Sequence, residues 1–240
     1  MTKQTIIFLH GWGKSGETMQ PLASLFREKG YATYTPDFPG FGGAEPPQKP
    51  WRVDDYVEWL KQYLDEKKLS RIILVTQSFG GRVAIKFAVR YPQYLEKLIM
   101  MGAPGMKEKL SWKRWLLKLI IRFGKWWLKG ATWELWVPWI LRKYIERKLS
   151  QLDYFRVQGV MRATLTNVVN EDLHPYLKKI TTPTLLVWGE HDEFVPLSIG
   201  RAMQKAIPGT QLVVIPNAKH GIYRTHSAEV AQHIFAFLLK

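Results

Sequence analysis

The chain contains no cysteine. This excludes disulfides, thiolate zinc sites, iron–sulfur clusters and a cysteine nucleophile together, and it is compatible with a reducing compartment. Long hydrophobic runs are missing too. The first apolar stretch, Ile6-Ile-Phe-Leu9, is too short for a signal-peptide core and far too short to span a bilayer. A soluble, cytoplasmic protein is therefore expected. Acidic residues are scarce, 20 Asp and Glu against 35 Lys and Arg, leaving a formal net charge of +15. Repeats and low-complexity tracts are absent, and 240 residues suit one domain carrying an insertion.

The basic surplus is concentrated. Between Met106 and Ser150 stand twelve Lys and Arg against Glu108, Glu134 and Glu146, so this stretch supplies +9 of the +15. It also holds seven of the eleven Trp, which marks it as an insertion unlike its flanks. Trp112, Trp115, Leu116, Leu119, Ile120, Phe123, Trp126 and Trp127 recur at helical spacing, with Arg114, Lys118, Arg122, Lys125 and Lys129 opposite. That pattern predicts a basic amphipathic helix, kinked near Gly124. Its apolar face either packs over a neighbouring site or meets an anionic lipid surface or an acidic carrier protein. Nucleic acid is set aside as a partner, because no nucleic-acid motif accompanies the charge.

Outside this stretch strand and helix patterns alternate. Strands are predicted at Ile6–Leu9, Tyr31–Thr35, Ile72–Thr76, Leu98–Met101, Thr184–Trp188 and Gln211–Ile215. Helices are predicted at Thr18–Lys29, Val53–Leu64, Arg82–Tyr91, Leu197–Ile207 and Ala228–Leu239. Near-continuous apolar strands between amphipathic helices imply an α/β fold with a mostly parallel sheet covered on both faces. In such sheets the working residues sit on loops beyond the strands' C-terminal ends.

The Ile72 strand is followed by Gln77-Ser78-Phe79-Gly80-Gly81 and a helix. A serine on a tight strand-to-helix turn is the arrangement of a nucleophile elbow. The competing account is a serine that caps the helix at Arg82. The next two strands after the insertion are followed by Gly189-Glu-His-Asp192-Glu-Phe-Val-Pro196 and by Pro216-Asn-Ala-Lys-His220-Gly221. Ser78, Asp192 and His220 thus form a candidate catalytic set. A serine hydroxyl is a poor nucleophile until a base takes its proton, and the imidazole needs a carboxylate to orient it and stabilise its charged form. Glu190 and Glu193 flank Asp192 and compete for the role of the acid. After the first strand, the His10-Gly11-Trp12-Gly13 loop can aim a backbone N–H at an oxyanion, with the Phe79 amide as second donor.

With these motifs the chain resembles the α/β-hydrolase superfamily over nearly its whole length. The resemblance is carried by His10-Gly-Trp-Gly13, Asp37-Phe-Pro-Gly-Phe-Gly42, Ser78-Phe-Gly-Gly81, Gly189-Glu-His-Asp192 with Pro196, and His220-Gly221. It implies a core of residues 1–105 and 176–240, a helical lid at 106–175, and hydrolysis of a carboxylic ester with an apolar acyl or alcohol part. On that resemblance Ser78 is the nucleophile, Asp192 the acid, His220 the base, and the amides of Trp12 and Phe79 the oxyanion donors. A small-molecule ester is the expected partner, with no cofactor and no metal. The antiparallel strands that often precede the first strand are expected to be missing. Two departures stand out. Thr76 occupies the place two residues before the nucleophile where the family usually has Gly, so it needs small neighbours or a shifted turn. Gln77 stands where the family often has His.

Gly11-Trp-Gly13-Lys-Ser-Gly16, with Asp37 after the next strand, also matches a dinucleotide-binding fingerprint, and NAD(P) binding is the alternative from another class. Trp12 would crowd a pyrophosphate there. Gly13-Lys14-Ser15 ends like a phosphate-binding loop, but Phe8 stands where its first glycine is needed. The histidines, His10, His174, His191, His220, His226 and His233, lack metal-ligand spacing.

Overall fold

The structure, a computed structural model, describes residues 4–106 and 158–240. The strands are β1 (Thr5–Leu9), β2 (Ala32–Tyr34), β3 (Ile72–Gln77), β4 (Leu95–Met101), β5 (Thr184–Gly189) and β6 (Gln211–Ile215). They form one sheet in the order β2-β1-β3-β4-β5-β6, and every pairing is parallel. The chain winds outward from β1 to β2, then returns to place β3 on the other side of β1. The sheet's crossover point therefore lies between β1 and β3, where ligands of such sheets bind.

The helices among the described residues are α1 (Gln20–Glu28), α2 (Val53–Glu66), α3 (Phe79–Arg90), α4 (Gly159–Asn170), α5 (His174–Leu177), α6 (Leu197–Ala206), α7 (Ile222–Thr225) and α8 (Ser227–Leu238). They cover both faces of the sheet, because alternate strand residues point to opposite sides. Ile6, Phe8, Ile73, Val75, Ile99 and Met101 pack with Phe26 of α1 and Ile234 of α8. Ile7, Leu9, Leu74, Met100 and Trp188 pack with Leu60 of α2, Phe87 of α3 and Val168 of α4. The continuous apolar strands needed two such clusters, and both are there.

Boundaries differ from the sequence pattern where glycine is concerned. Helix α3 begins at Phe79, three residues before Arg82. Gly80 and Gly81 lie inside it although each weakens an isolated helix by about 1 kcal/mol. Packing decides the matter. A Cβ on Gly80 would sit 2.8 Å from the Leu9 carbonyl oxygen, and one on Gly81 would collide with the Ala103 methyl group. Only glycine lets this helix lie so close to β1 and to the loop after β4.

The predicted basic helix, its kink near Gly124 and its tryptophans fall outside the described residues, as does most of the 106–175 insertion. Within the described part, α4 buries Leu165 and Val168. Its Thr164 hydroxyl accepts from the Trp51 N–H at 3.0 Å, and its Asn167 side chain donates to the Trp51 carbonyl at 3.2 Å. Among the described residues, no helix is long and apolar enough to cross a membrane.

Candidate active site

Ser78 occupies the turn between β3 and α3 with φ 49° and ψ −109°. For a residue with a side chain this is a strained backbone, worth about 1–3 kcal/mol, which persists only where the surroundings impose it. Here the Ser78 N–H donates to the Met101 carbonyl at 2.9 Å and the Ser78 carbonyl accepts from Gly81 N–H at 2.9 Å. Its side chain makes no capping bond to α3, so the capping account finds no contact to support it. Phe79 is the first residue of the helix, where an N–H has no carbonyl one turn back to bond.

The loops after β5 and β6 are knitted together. Glu190 N–H donates to the Ile215 carbonyl at 3.0 Å and His191 N–H to the Ala218 carbonyl at 2.8 Å. This brings His220 to Asp192: Nδ1 lies 2.7 Å from Asp192 Oδ2. The Asp192 side chain is 1% exposed. Its other oxygen, Oδ1, accepts from the N–H groups of Phe194 and Val195, both at 2.9 Å. A carboxylate so held can only accept, which puts the proton of a neutral His220 on Nδ1 and leaves Nε2 as the basic nitrogen. The neighbouring acids are engaged elsewhere or exposed: Glu190 Oε2 accepts from Asn217 N–H at 2.9 Å, and Glu193 faces solvent.

Gly102, just past β4, lies against this pair with φ 53°. A Cβ there would sit 3.0 Å from His220 Cε1 and Nδ1 and 3.1 Å from Asp192 Oδ2. The Gly102-Ala-Pro-Gly105 loop follows β4 directly, and its role rests on contacts that span the chain.

Trp12, on the loop after β1, packs edge-on against Phe41 at 4.7 Å and Phe79 at 5.2 Å between ring centroids. The two residues expected to supply oxyanion donors are thereby fixed against each other. The loop is tied further by His10, whose Nε2 accepts from the Phe38 N–H at 3.0 Å while Nδ1 lies 2.8 Å from the Gly11 carbonyl. Accepting at Nε2 requires the neutral ring, and burial lowers the His10 pKa accordingly.

Residues 1–225 match the family described as Serine aminopeptidase, S33. The chain belongs to this family of α/β-hydrolases. Over 261 aligned positions it is 25% identical to a 2-hydroxy-6-oxononadienedioate/2-hydroxy-6-oxononatrienedioate hydrolase of Cupriavidus pinatubonensis, covering 98% of this chain and 86% of that one. Its fold is similar to that of a bromoperoxidase from Bacillus anthracis, with TM-score 0.76, 23% identity and coverage of 100% and 93% of the two chains. A bacterial membrane phospholipase A is similar as well, with TM-score 0.75, 25% identity and coverage of 98% and 78%. The protein is a serine α/β-hydrolase.

Against that family the departures at the elbow have a structural account. Thr76 is fully buried and its hydroxyl donates to the Ile99 carbonyl at 3.2 Å, which satisfies the polar group the substitution introduces. Gly81 is its small neighbour, and a Cβ there would lie 3.6 Å from Thr76 Oγ1. Gln77, 3% exposed, reaches from the β1 loop to the β6 loop. Its Nε2 donates a long 3.5 Å bond to the His220 carbonyl, and its Oε1 occupies the space a side chain on Gly11 would need.

The dinucleotide fingerprint is put to another use in this hydrolase. Asp37 Oδ1 accepts from Gly16 N–H at 2.6 Å and Oδ2 from Gly43 N–H at 2.9 Å, so both oxygens are tied to backbone of the neighbouring loops. Gly16 is glycine because a Cβ would collide with the Thr35 carbonyl. Among the described residues, no group of three or more His, Asp or Glu is placed to hold a metal ion.

Proposed function

We propose that this hydrolase cleaves carboxylic esters with an apolar acyl or alcohol part, using Ser78, His220 and Asp192 and passing through an acyl-enzyme. The observation that carries the reading is the strained Ser78 turn, next to the crossover of the sheet, with a hydrogen-bonded Asp192–His220 pair on the loops beyond it. In the first half-reaction Ser78 Oγ bonds to the ester carbonyl carbon while His220 Nε2 takes the hydroxyl proton. The carbonyl electron pair moves to oxygen, and the N–H groups of Trp12 and Phe79 stabilise that oxyanion. Collapse breaks the bond to the alcohol oxygen, which leaves with the proton from His220. Water then repeats the sequence on the acyl-enzyme and releases the acid. Asp192 holds the ring and stabilises the imidazolium without taking the proton itself.

Trp12, partly exposed beside Phe41 and Phe79, favours an apolar group on the substrate. The deciding experiment is labelling with a fluorophosphonate, which tests nucleophile, base and oxyanion donors together. Ser78 takes the label in the wild type, and Ser78→Ala loses p-nitrophenyl butyrate turnover by roughly five to six orders of magnitude while melting as a folded protein. Activity retained in Ser78→Ala would overturn the assignment. A 2-hydroxy-6-oxo dienedioate, of the kind named for the Cupriavidus relative, serves as the competing substrate.

A second reading places the ester in a membrane lipid. The +9 charge and seven tryptophans between Met106 and Ser150, with the likeness to a membrane phospholipase A, support it. Sedimentation with anionic but not with neutral vesicles, weakening as salt rises, is the expected result. Equal sedimentation with both would remove this reading.

A further inference from the structure

Arg82 lies one turn beyond Ser78 on α3, in surroundings that do not suit a cation. It is 7% exposed, and burial lowers its pKa to about 10 against the opposing pull of Glu171 and Asp172. Among the described residues, its Nε is buried without a hydrogen-bond partner. A guanidinium in such a place is destabilising unless its remaining donors are well used. Those donors reach two separate stretches of backbone: Nη1 donates to the Pro104 carbonyl at 2.6 Å and Nη2 to the Glu171 carbonyl.

Pro104 belongs to the loop wedged between the nucleophile helix and the acid–base pair. Gly102 backs His220 and Asp192, Ala103 fills the space beside Gly81 of α3, and Gly105 packs against Ile85 of α3 and Met203 of α6. The loop therefore transmits the position of α3 to His220, and Arg82 is the polar tie that holds it. Glu171 has a second anchor, because the Lys86 ammonium bonds its carboxylate.

We propose that Arg82 is a positioning residue of the hydrolytic site, which sets Ser78 against the Asp192–His220 pair by gripping the Pro104 carbonyl from the helix that begins beside Ser78. The proposal rests on the catalytic reading given above. It gives a buried arginine, with both terminal nitrogens on backbone carbonyls, a reason to stand at this point of α3.

The test uses Arg82→Gln, Arg82→Lys and Lys86→Gln in the full chain, with kcat and KM for p-nitrophenyl butyrate measured across pH. Loosening a nucleophile–base geometry by an ångström is worth on the order of 100-fold in rate. Arg82→Gln should lower kcat by about that factor with KM within roughly twofold. Arg82→Lys, which keeps the charge but can hold fewer carbonyls, should fall between Arg82→Gln and wild type. Lys86→Gln, which loses a buried ion pair on the same helix, should lower the melting temperature and leave kcat unchanged. Wild-type kcat in folded Arg82→Gln overturns the proposal, as does an equal kinetic loss in Lys86→Gln. If Arg82→Gln does not fold, wild-type kcat in Arg82→Lys overturns it. None of these outcomes touches the nucleophile assignment, which Ser78→Ala tests separately.

Discussion

Two aspartates follow two strands of this sheet, and each carries a motif that looks functional. Asp37, after β2, accepts one backbone N–H on each carboxylate oxygen, from Gly16 and Gly43. Asp192, after β5, accepts two backbone N–H groups on a single oxygen and keeps the other for His220. The chemistry of the groups is the same. Their difference lies in how the local backbone engages the oxygens: Asp37 joins loops through both, and Asp192 leaves Oδ2 to face His220. The histidines repeat the contrast. His10 accepts a backbone N–H and burial lowers its pKa, while His220 turns its Nδ1 to the Asp192 carboxylate.

The largest expected effect comes from breaking the Asp192 side. Asp192→Asn should lower kcat by about 10⁴-fold with little change in melting temperature, since an amide can present its NH₂ group to Nδ1 and leave the wrong tautomer. Glu190→Gln and Glu193→Gln should stay within a few-fold of wild type. A greater loss in Glu193→Gln than in Asp192→Asn would mean that the acid has been misplaced by one residue.

Next comes the wall behind the pair. Gly102→Ala must push into His220 or Asp192, so kcat should fall on the order of 100-fold. Gly209→Ala is the control, because Gly209 has a similar φ of 67° but open space around it. It should keep full activity and lose only the stability expected of left-handed backbone strain, about 1–2 kcal/mol. Equal kinetics in the two variants would show that backbone strain rather than contact governs Gly102.

Asp37→Ala sharpens the comparison from the other side. Two charge-assisted bonds to backbone are lost, so chemical denaturation should register about 2–3 kcal/mol of destabilisation. The Asp192–His220 pair lies elsewhere, so the rate at which a fluorophosphonate labels Ser78 below the melting temperature should change far less than in Asp192→Asn. The smallest effect is pH-dependent. His10 has a lowered pKa when folded, so the unfolded chain takes up the proton more readily. Stability should decline as pH falls from about 6.5, the unfolded value, toward the lowered folded one. Melting curves between pH 7.5 and 5.5 should show a smaller decline in His10→Gln, and an identical decline would assign the acid sensitivity to other groups.

Much of this architecture is written locally. Strands β1, β3, β4 and β5 announce themselves through four to six consecutive buried side chains, and the chemistry-bearing residues follow strand ends directly. That is why Ser78, Asp192 and His220 could be singled out before any contact was known. The Gly11, Gly13, Gly16 and Asp37 pattern was equally legible but undirected, because sequence does not say which donors a carboxylate meets. Gly80 and Gly81 read as the end of a loop because glycine disfavours helix in isolation. Helix α4 falls within the stretch expected to be a helical lid, but the contacts of its Thr164 and Asn167 with Trp51, more than a hundred residues earlier, are not legible in local spacing.

By itself, then, the sequence determined the strands and most of the helices, the loops that carry chemistry and the residue types on them. These depend on side-chain alternation, turn sterics and spacing between near neighbours. Tertiary structure alone decided which oxygen of Asp192 faces His220, that Asp37 reaches the Gly16 backbone, that Gly102 backs His220, and that Arg82 bridges Pro104 to Glu171. Each of these rests on groups 21 to 118 residues apart, whose meeting is fixed by how the sheet and helices pack.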